Sequence, residues 1–391
     1  MIPYGRQSID ESDVRAVADA LTSGWLTQGP AVPRFEDALC KTTGAAHAVA
    51  VTNATSALHI ACLALGLGPG DRGWTVPNTF VASANAILYC GAEVDFVDID
   101  PATRNMSIAA LEAKLEKARR DGKLPRVVIP VHFAGHSCEM EAIGTLAKQY
   151  GFHVIEDASH AIGGSYKGEP VGICRHSDIT VFSFHPVKIV TTGEGGAALT
   201  QDNELAARMR LLRSHGITRD VRMSEAVNAG DWYYEQQALG FNLRMTDIQA
   251  ALGANQMPRL ESFVAAREAL AARYDALLKD LPLRLPARST DTRSAWHLYV
   301  VEIEDDEHHA PNDHGARRAD IFRQMRDTGI GVNVHYIPVH WQPHYQALGF
   351  RMGDFPASET YYRRALTLPL FPTLTHDEQD FVVKALKEAL A

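Results

Sequence analysis

Between about residue 45 and residue 200, short runs of β-branched and aromatic residues alternate with segments of helical period. This is the alternation of an α/β domain built on a mostly parallel sheet. Strands are predicted at 47–51, 74–76, 93–97, 126–131, 153–156, 179–183 and 197–200, and helices near 55–66, 79–90, 107–120 and 138–150. Turn residues at Gly68-Pro-Gly-Asp71 and Asp121-Gly122 punctuate the pattern.

After Asp202 the apolar positions fall into longer helices, Met245 to Met257 and then an Ala-, Leu- and Arg-rich run to Leu281. Pro258 lies between them and has no amide hydrogen to donate, which predicts a kink or a restart there. The last hundred residues predict a smaller α+β unit, with strands at 297–303 and 331–335 and helices at 316–327 and 376–390. The expected division is a large domain with an N-terminal arm over 1–255 and a small C-terminal domain over 256–391. The polar run 304–314 reads as a surface loop, and its histidines are not taken as metal ligands.

At 391 residues, 46% hydrophobic and 22% charged, the chain has the make-up of a globular enzyme with a sizeable core. Its net charge of −9 argues against a nucleic-acid surface, so an anionic ligand needs a local pocket. Cys40, Cys62, Cys90, Cys138 and Cys174 are scattered, without a Cys-x-x-Cys pair or zinc spacing, and read as reduced residues of a cytoplasmic protein. No secretory leader and no membrane-spanning apolar run is expected.

The chemistry concentrates around Lys188. It follows the apolar run Val181-Phe-Ser-Phe-His-Pro-Val and precedes Thr191-Thr-Gly-Glu-Gly-Gly196, while Asp157 ends another apolar run, Phe152-His-Val-Ile-Glu-Asp157. A lysine amine and a strand-end aspartate in this order suit pyridoxal 5'-phosphate: the amine forms a Schiff base with the aldehyde, and the carboxylate keeps the pyridine nitrogen protonated. Thr52-Asn-Ala-Thr-Ser56 leaves a strand and opens a helix, a place for the cofactor phosphate, although the same residues would serve an ordinary helix cap. Gly193-Glu-Gly-Gly-Ala-Ala198 satisfies the dinucleotide fingerprint but precedes a strand instead of leaving one. It is read as a turn that lets the backbone pass close to the lysine.

Three ordered segments carry a family resemblance: Glu156-Asp-Ala-Ser-His-Ala161, Phe182-Ser-Phe-His-Pro-Val-Lys-Ile-Val-Thr-Thr-Gly-Glu-Gly-Gly196 and Gly240-Phe-Asn-Leu-Arg-Met-Thr-Asp-Ile-Gln-Ala-Ala251. Together they resemble the DegT/DnrJ/StrS sugar-nucleotide aminotransferases, PLP enzymes of fold type I, aspartate aminotransferase-like. The resemblance implies that Lys188, Asp157 and His160 are catalytic, with His160 near the phenolic oxygen of the cofactor. It also implies that Thr55, Ser56 and Ser183 bind phosphate and that Phe80 stacks on the ring, where the bland alternative is a core phenylalanine. Asn242 is implied to reach the phosphate in a neighbouring subunit, with Arg244 nearby, which makes the active unit a homodimer.

Within the family the resemblance is nearest to enzymes that aminate C4 of a UDP-linked 4-keto-6-deoxy-N-acetylhexosamine for pseudaminic acid. It rests on Ser23-Gly-Trp-Leu-Thr-Gln-Gly29, Val131-His-Phe-Ala-Gly-His-Ser-Cys138 and His335-Tyr-Ile-Pro-Val-His-Trp-Gln-Pro-His-Tyr345. Tyr4, Gln28, His185, Arg244, His335 and Tyr336 are implied on the sugar-nucleotide side, with L-glutamate as amino donor. His335, His340 and His344 lack zinc spacing and are read as parts of a substrate-side loop. A lysine at position 188, where family dehydratases carry histidine, favours transamination. Other nucleotide-linked ketosugars, and a PLP-binding regulator without turnover, remain as alternatives.

Overall fold

The computed structural model describes residues 1–219, 230, 232–304 and 315–391. The predicted loop 304–314 therefore lies, apart from Glu304, outside the described residues. A seven-stranded sheet runs in the order His47–Val51, Gly196–Thr200, Ile179–Ser183, His153–Asp157, Val127–Val128, Arg72–Thr75, Glu93–Phe96. Gly196–Thr200 is antiparallel to both neighbours and every other pairing is parallel.

Residue alternation along these strands sends opposite faces to different cores, as the pleat requires. Val49, Val51, Ile155, Ile179, Val181 and Ala198 join the Ala54–Ala64 and Ala82–Tyr89 helices. Ala48, Ala50, Phe182, Ala197 and Leu199 face the Ala31–Thr43 and Asp247–Gln256 helices. Because both faces are covered, the strands read as nearly continuous apolar runs.

Register then builds the site. Gly196 pairs with both Val51 and Ser183, and Asp157 pairs with Val181. The ends of three strands, carrying Thr52, Ser183 and Asp157, thus meet along one edge, the edge where open α/β sheets bind ligands.

Two expected strands are shorter than the pattern suggested. Of 126–131 only Val127–Val128 is regular strand, because Pro130 offers no N–H; its carbonyl accepts from Asp157 N–H at 2.9 Å, and Val131 keeps a single bridge to Asp157. Of 331–335 only Gly331 is strand, within Ile330–Gly331, which pairs in parallel with Ile2–Pro3. Pro258 sits in a short 3-10 turn, Met257–Arg259, that joins Asp247–Gln256 to Leu260–Leu278, the restart expected of a proline. The Leu260–Leu278 helix begins against the sheet core through Leu260 and Val264. It ends among Leu278, Tyr299, Leu366 and Leu386, where an antiparallel three-stranded sheet and the His376–Leu390 helix form a second core.

Candidate active site

Lys188 sits on a tight turn, its N–H donating to His185 O at 2.8 Å, and the loop around it is pinned by Phe184 N–H to Gly195 O and Thr192 N–H to Phe184 O, both 2.9 Å. The side chain is half-buried, with its Nζ 3.4 Å from His297 Nε2. Burial pushes the amine down to about 8, against the opposing pull of the Asp157 carboxylate. An amine so placed spends a useful fraction of time unprotonated near neutrality.

Asp157 is 5% exposed. Its Oδ2 accepts from Ser83 Oγ at 2.6 Å and its Oδ1 from Ser159 N–H at 3.1 Å, while Ser83 Oγ also meets Thr79 Oγ1 at 2.9 Å. No arginine or lysine ion-pairs with it among the described residues. A buried carboxylate lacking an ion-pair partner is costly. A protonated ring nitrogen would supply that partner, and on this observation the residues fit pyridoxal phosphate.

Beside the lysine lies a cluster of neutral rings. His160 Nδ1 accepts from Ala134 N–H at 3.2 Å, so its proton belongs on Nε2, which lies 3.2 Å from Tyr336 Oη. Burial and the Lys188 charge hold His160 well below the usual histidine value; burial and Lys188 push His335 down to about 3. His335 Nδ1 meets Thr367 Oγ1 at 2.8 Å, and the Tyr4 ring lies 5.3 Å from the His335 ring. Phe80 is 61% exposed, its ring 6.4 Å from that of Tyr336, so it is not core and keeps an open face.

At the other end, Asn53 caps the Ala54–Ala64 helix by accepting from Ser56 N–H at 2.8 Å. The amides of Ala54 and Thr55 take no partner among the described residues, and Thr52 Oγ1 and Ser56 Oγ lie 3.1 Å apart. Free amides with hydroxyls at a helix N-terminus suit a phosphate. Gly196 explains how the strand comes so close: an added Cβ would lie 2.4 Å from Asn53 C and 2.5 Å from Ala54 N. The same segment also passes close to the lysine loop, where an added Cβ at Gly195 would meet Thr192 Oγ1.

Asp157, His160, Lys188, His335, Tyr336 and Tyr4 are linked by these contacts into one group, and Ser183 joins the cup through Gly196. His185 is exposed on the lysine turn, and Gln28 is exposed in a segment tied to Asp247 through Gly29 N–H at 3.0 Å. Arg244 bridges Val51, and Leu243 O accepts from Thr52 N–H at 3.0 Å, while Asn242 is exposed. His340 departs from the substrate-side expectation: it is fully buried, with Nε2 2.9 Å from Glu359 Oε1, and His344 is exposed on the Pro343–Ala347 helix. Sequence reasoning missed His297 and Ser83. The former looked like the start of a strand and the latter like one small residue in an apolar helix.

Among solved structures, Helicobacter pylori PseC, an aminotransferase of pseudoaminic acid biosynthesis, superposes with TM-score 0.89 at 30% identity, covering 100% of this chain and 99% of PseC. The family model for DegT/DnrJ/EryC1/StrS aminotransferases matches residues 7–387. The chain belongs to this family. A DegT/DnrJ/EryC1/StrS member is a PLP-dependent sugar aminotransferase. The putative sugar aminotransferase Spr1654 of Streptococcus pneumoniae, in its PMP form, also matches with TM-score 0.89 at 30% identity over 100% of this chain and 99% of its own. The spore coat polysaccharide biosynthesis protein SpsC of Bacillus subtilis is 40% identical over 99% of this chain and 96% of its own length. Among the described residues no helix is long and apolar enough to cross a membrane.

Proposed function

We propose that this sugar aminotransferase moves the amino group of L-glutamate to the C4 keto group of a UDP-linked 4-keto-6-deoxy-N-acetylhexosamine, releasing 2-oxoglutarate. The observation that carries the reading is the Lys188 amine, pushed down to about 8 by burial, on the same sheet edge as the unpaired buried carboxylate of Asp157. PseC, whose name places it in pseudoaminic acid biosynthesis, supports the choice of sugar.

The bound cofactor supplies an aldehyde for the amino group and a ring that takes up the electron pair released at carbon. Lys188 Nζ removes the Cα proton of glutamate and later delivers a proton to C4 of the sugar. Asp157, held by Ser83 and Ser159, carries the charge opposite the ring nitrogen. The amides of Ala54 and Thr55 with the hydroxyls of Thr55, Ser56 and Ser183 receive the phosphate, and the open face of Phe80 covers the ring. His160 Nε2–H donates a hydrogen bond to Tyr336 Oη, which leaves the phenol O–H free to donate to an oxygen of substrate or cofactor. Tyr4, Gln28, His185, His335 and Tyr336 line the sugar-nucleotide side.

In this reading the enzyme is a cytoplasmic homodimer in which Asn242 and Arg244 reach the partner's phosphate cup. Exposed Trp25, Leu26 and Leu239, at 60%, 47% and 84%, are apolar side chains that a second copy would cover. A second reading is favoured by the higher identity to SpsC: amination of another nucleotide-linked ketosugar for polysaccharide assembly. Incubation with glutamate and a panel of UDP- and dTDP-ketosugars separates the two. 2-Oxoglutarate should appear with the UDP-4-keto-6-deoxy-N-acetylhexosamine. Turnover only with a dTDP sugar contradicts the first reading, and bound cofactor with no turnover on any sugar favours a regulator.

A further inference from the structure

His297 has no part in the roles above, yet it is the side chain that meets Lys188 Nζ, at 3.4 Å through Nε2. It is 4% exposed, and its Nδ1 is buried with no hydrogen-bond partner among the described residues. A neutral imidazole has one N–H, and the partners of its two nitrogens decide which of them carries it. A proton on Nδ1 would bury a donor without an acceptor. A proton on Nε2 leaves only a lone pair unmatched, which is the less costly fault.

With Nε2 as donor, the contact is satisfied only when Nζ offers a lone pair, as an uncharged amine does. An ammonium would set N–H against N–H. We propose that His297 is a positioning residue whose Nε2 proton holds Lys188 Nζ as an uncharged amine, the form that attacks an aldehyde or accepts a proton.

The surroundings support this. Burial first, then the charges or potential charges of Lys188, His160, Arg267 and His335, hold His297 well below the usual histidine value, so it does not take a second proton. Asp157 is the one acidic group whose charge acts on Lys188. The backbone that carries the imidazole is also fixed in place. His297 N–H donates to Ala134 O at 2.9 Å, and buried Arg267 Nη1 donates to Trp296 O and His297 O at 3.2 Å and to Leu370 O at 2.9 Å. Ala134, whose N–H meets His160 Nδ1 and whose carbonyl accepts from the His297 backbone N–H, thereby ties both histidines to one residue.

The mechanistic consequence rests on Lys188 being the cofactor lysine, but the test does not, because it uses the full chain without cofactor. Nitrogen-15 histidine spectra of the wild-type chain, assigned by loss of a signal in His297→Gln, should show Nε2 protonated and Nδ1 bare at about pH 9, above the Lys188 midpoint. Trace acetylation followed by peptide mass spectrometry should give Lys188 a midpoint near 8. His297→Gln, whose amide oxygen can accept from an ammonium, should raise that midpoint by about one unit, about tenfold less free amine at neutral pH. A protonated Nδ1 in the wild type at about pH 9, or an unchanged midpoint in folded His297→Gln, overturns the proposal. If that variant does not fold, the wild-type tautomer decides alone.

Discussion

The role proposed for Asp157 requires its carboxylate to stay aimed, with no arginine or lysine ion-paired to it among the described residues. Ser83 supplies the aim, through a 2.6 Å bond from a fully buried hydroxyl that Thr79 braces in turn. A hydrogen bond to a charged group contributes on the order of 1.5–3 kcal/mol. Ser83→Ala should therefore weaken cofactor retention about tenfold while leaving the fold intact, read by cofactor titration and by circular dichroism; unchanged affinity would remove Ser83 from the site. Lys188 stood out between an apolar run and a glycine-rich segment, and Asp157 at the end of another apolar run. Ser83 and His297 did not, since their contacts span 74 and 109 positions and nothing in their own neighbourhoods marks them.

At the level of elements, the site depends on a strand and a helix meeting at backbone distance. Gly196 permits this, and Gly196→Ala places a methyl group against Asn53 and Ala54, backbone that cannot swing away. Overpacking of this kind costs about 1–3 kcal/mol. The variant should unfold at lower denaturant and lose phosphate-dependent cofactor affinity more than aldehyde-dependent affinity, compared by titrating pyridoxal phosphate against pyridoxal. Equal losses for both would contradict the cup.

Helices with strong caps or clear period were legible: Ala316–Asp327 and His376–Leu390 coincide with expectation, the latter behind a Thr375 capping box. Glu11–Thr22 and Ala31–Thr43 were not anticipated. The first is a short amphipathic piece whose Asp13 is buried on Arg259, Asn255 and Gln256, partners more than 240 positions away. Strands 126–131 and 331–335 shrank because apolar runs predict burial, whereas ladder pairing also needs an N–H and a neighbouring strand.

For the whole molecule, the question is how the second core stays in register with the sheet. The Leu260–Leu278 helix belongs to both cores, and the buried Arg104–Glu302 pair, 2.6 Å apart with side chains 5% and 6% exposed, joins the segment after Glu93–Phe96 to the strand Tyr299–Ile303. The first residues contribute as well, since Ile2 pairs with Ile330 and Tyr4 O accepts from Leu370 N–H at 3.0 Å, bringing Tyr4 to His335. If Asn242 and Arg244 serve the partner's site, Lys188→Ala and the Asn242→Ala/Arg244→Ala double variant, each inactive alone, should complement on mixing. Random exchange of subunits in a twofold dimer should restore roughly a quarter of wild-type activity. No recovery after verified exchange would place those residues in their own subunit's site.

Everything proposed for the site requires Lys188 to be the residue bonded to the cofactor. Borohydride reduction of the purified holoprotein, followed by proteolysis and mass spectrometry, should place the phosphopyridoxyl group on the peptide containing Lys188. Recovery of the label on any other lysine, or a holoprotein that retains no pyridoxal phosphate to reduce, would contradict it.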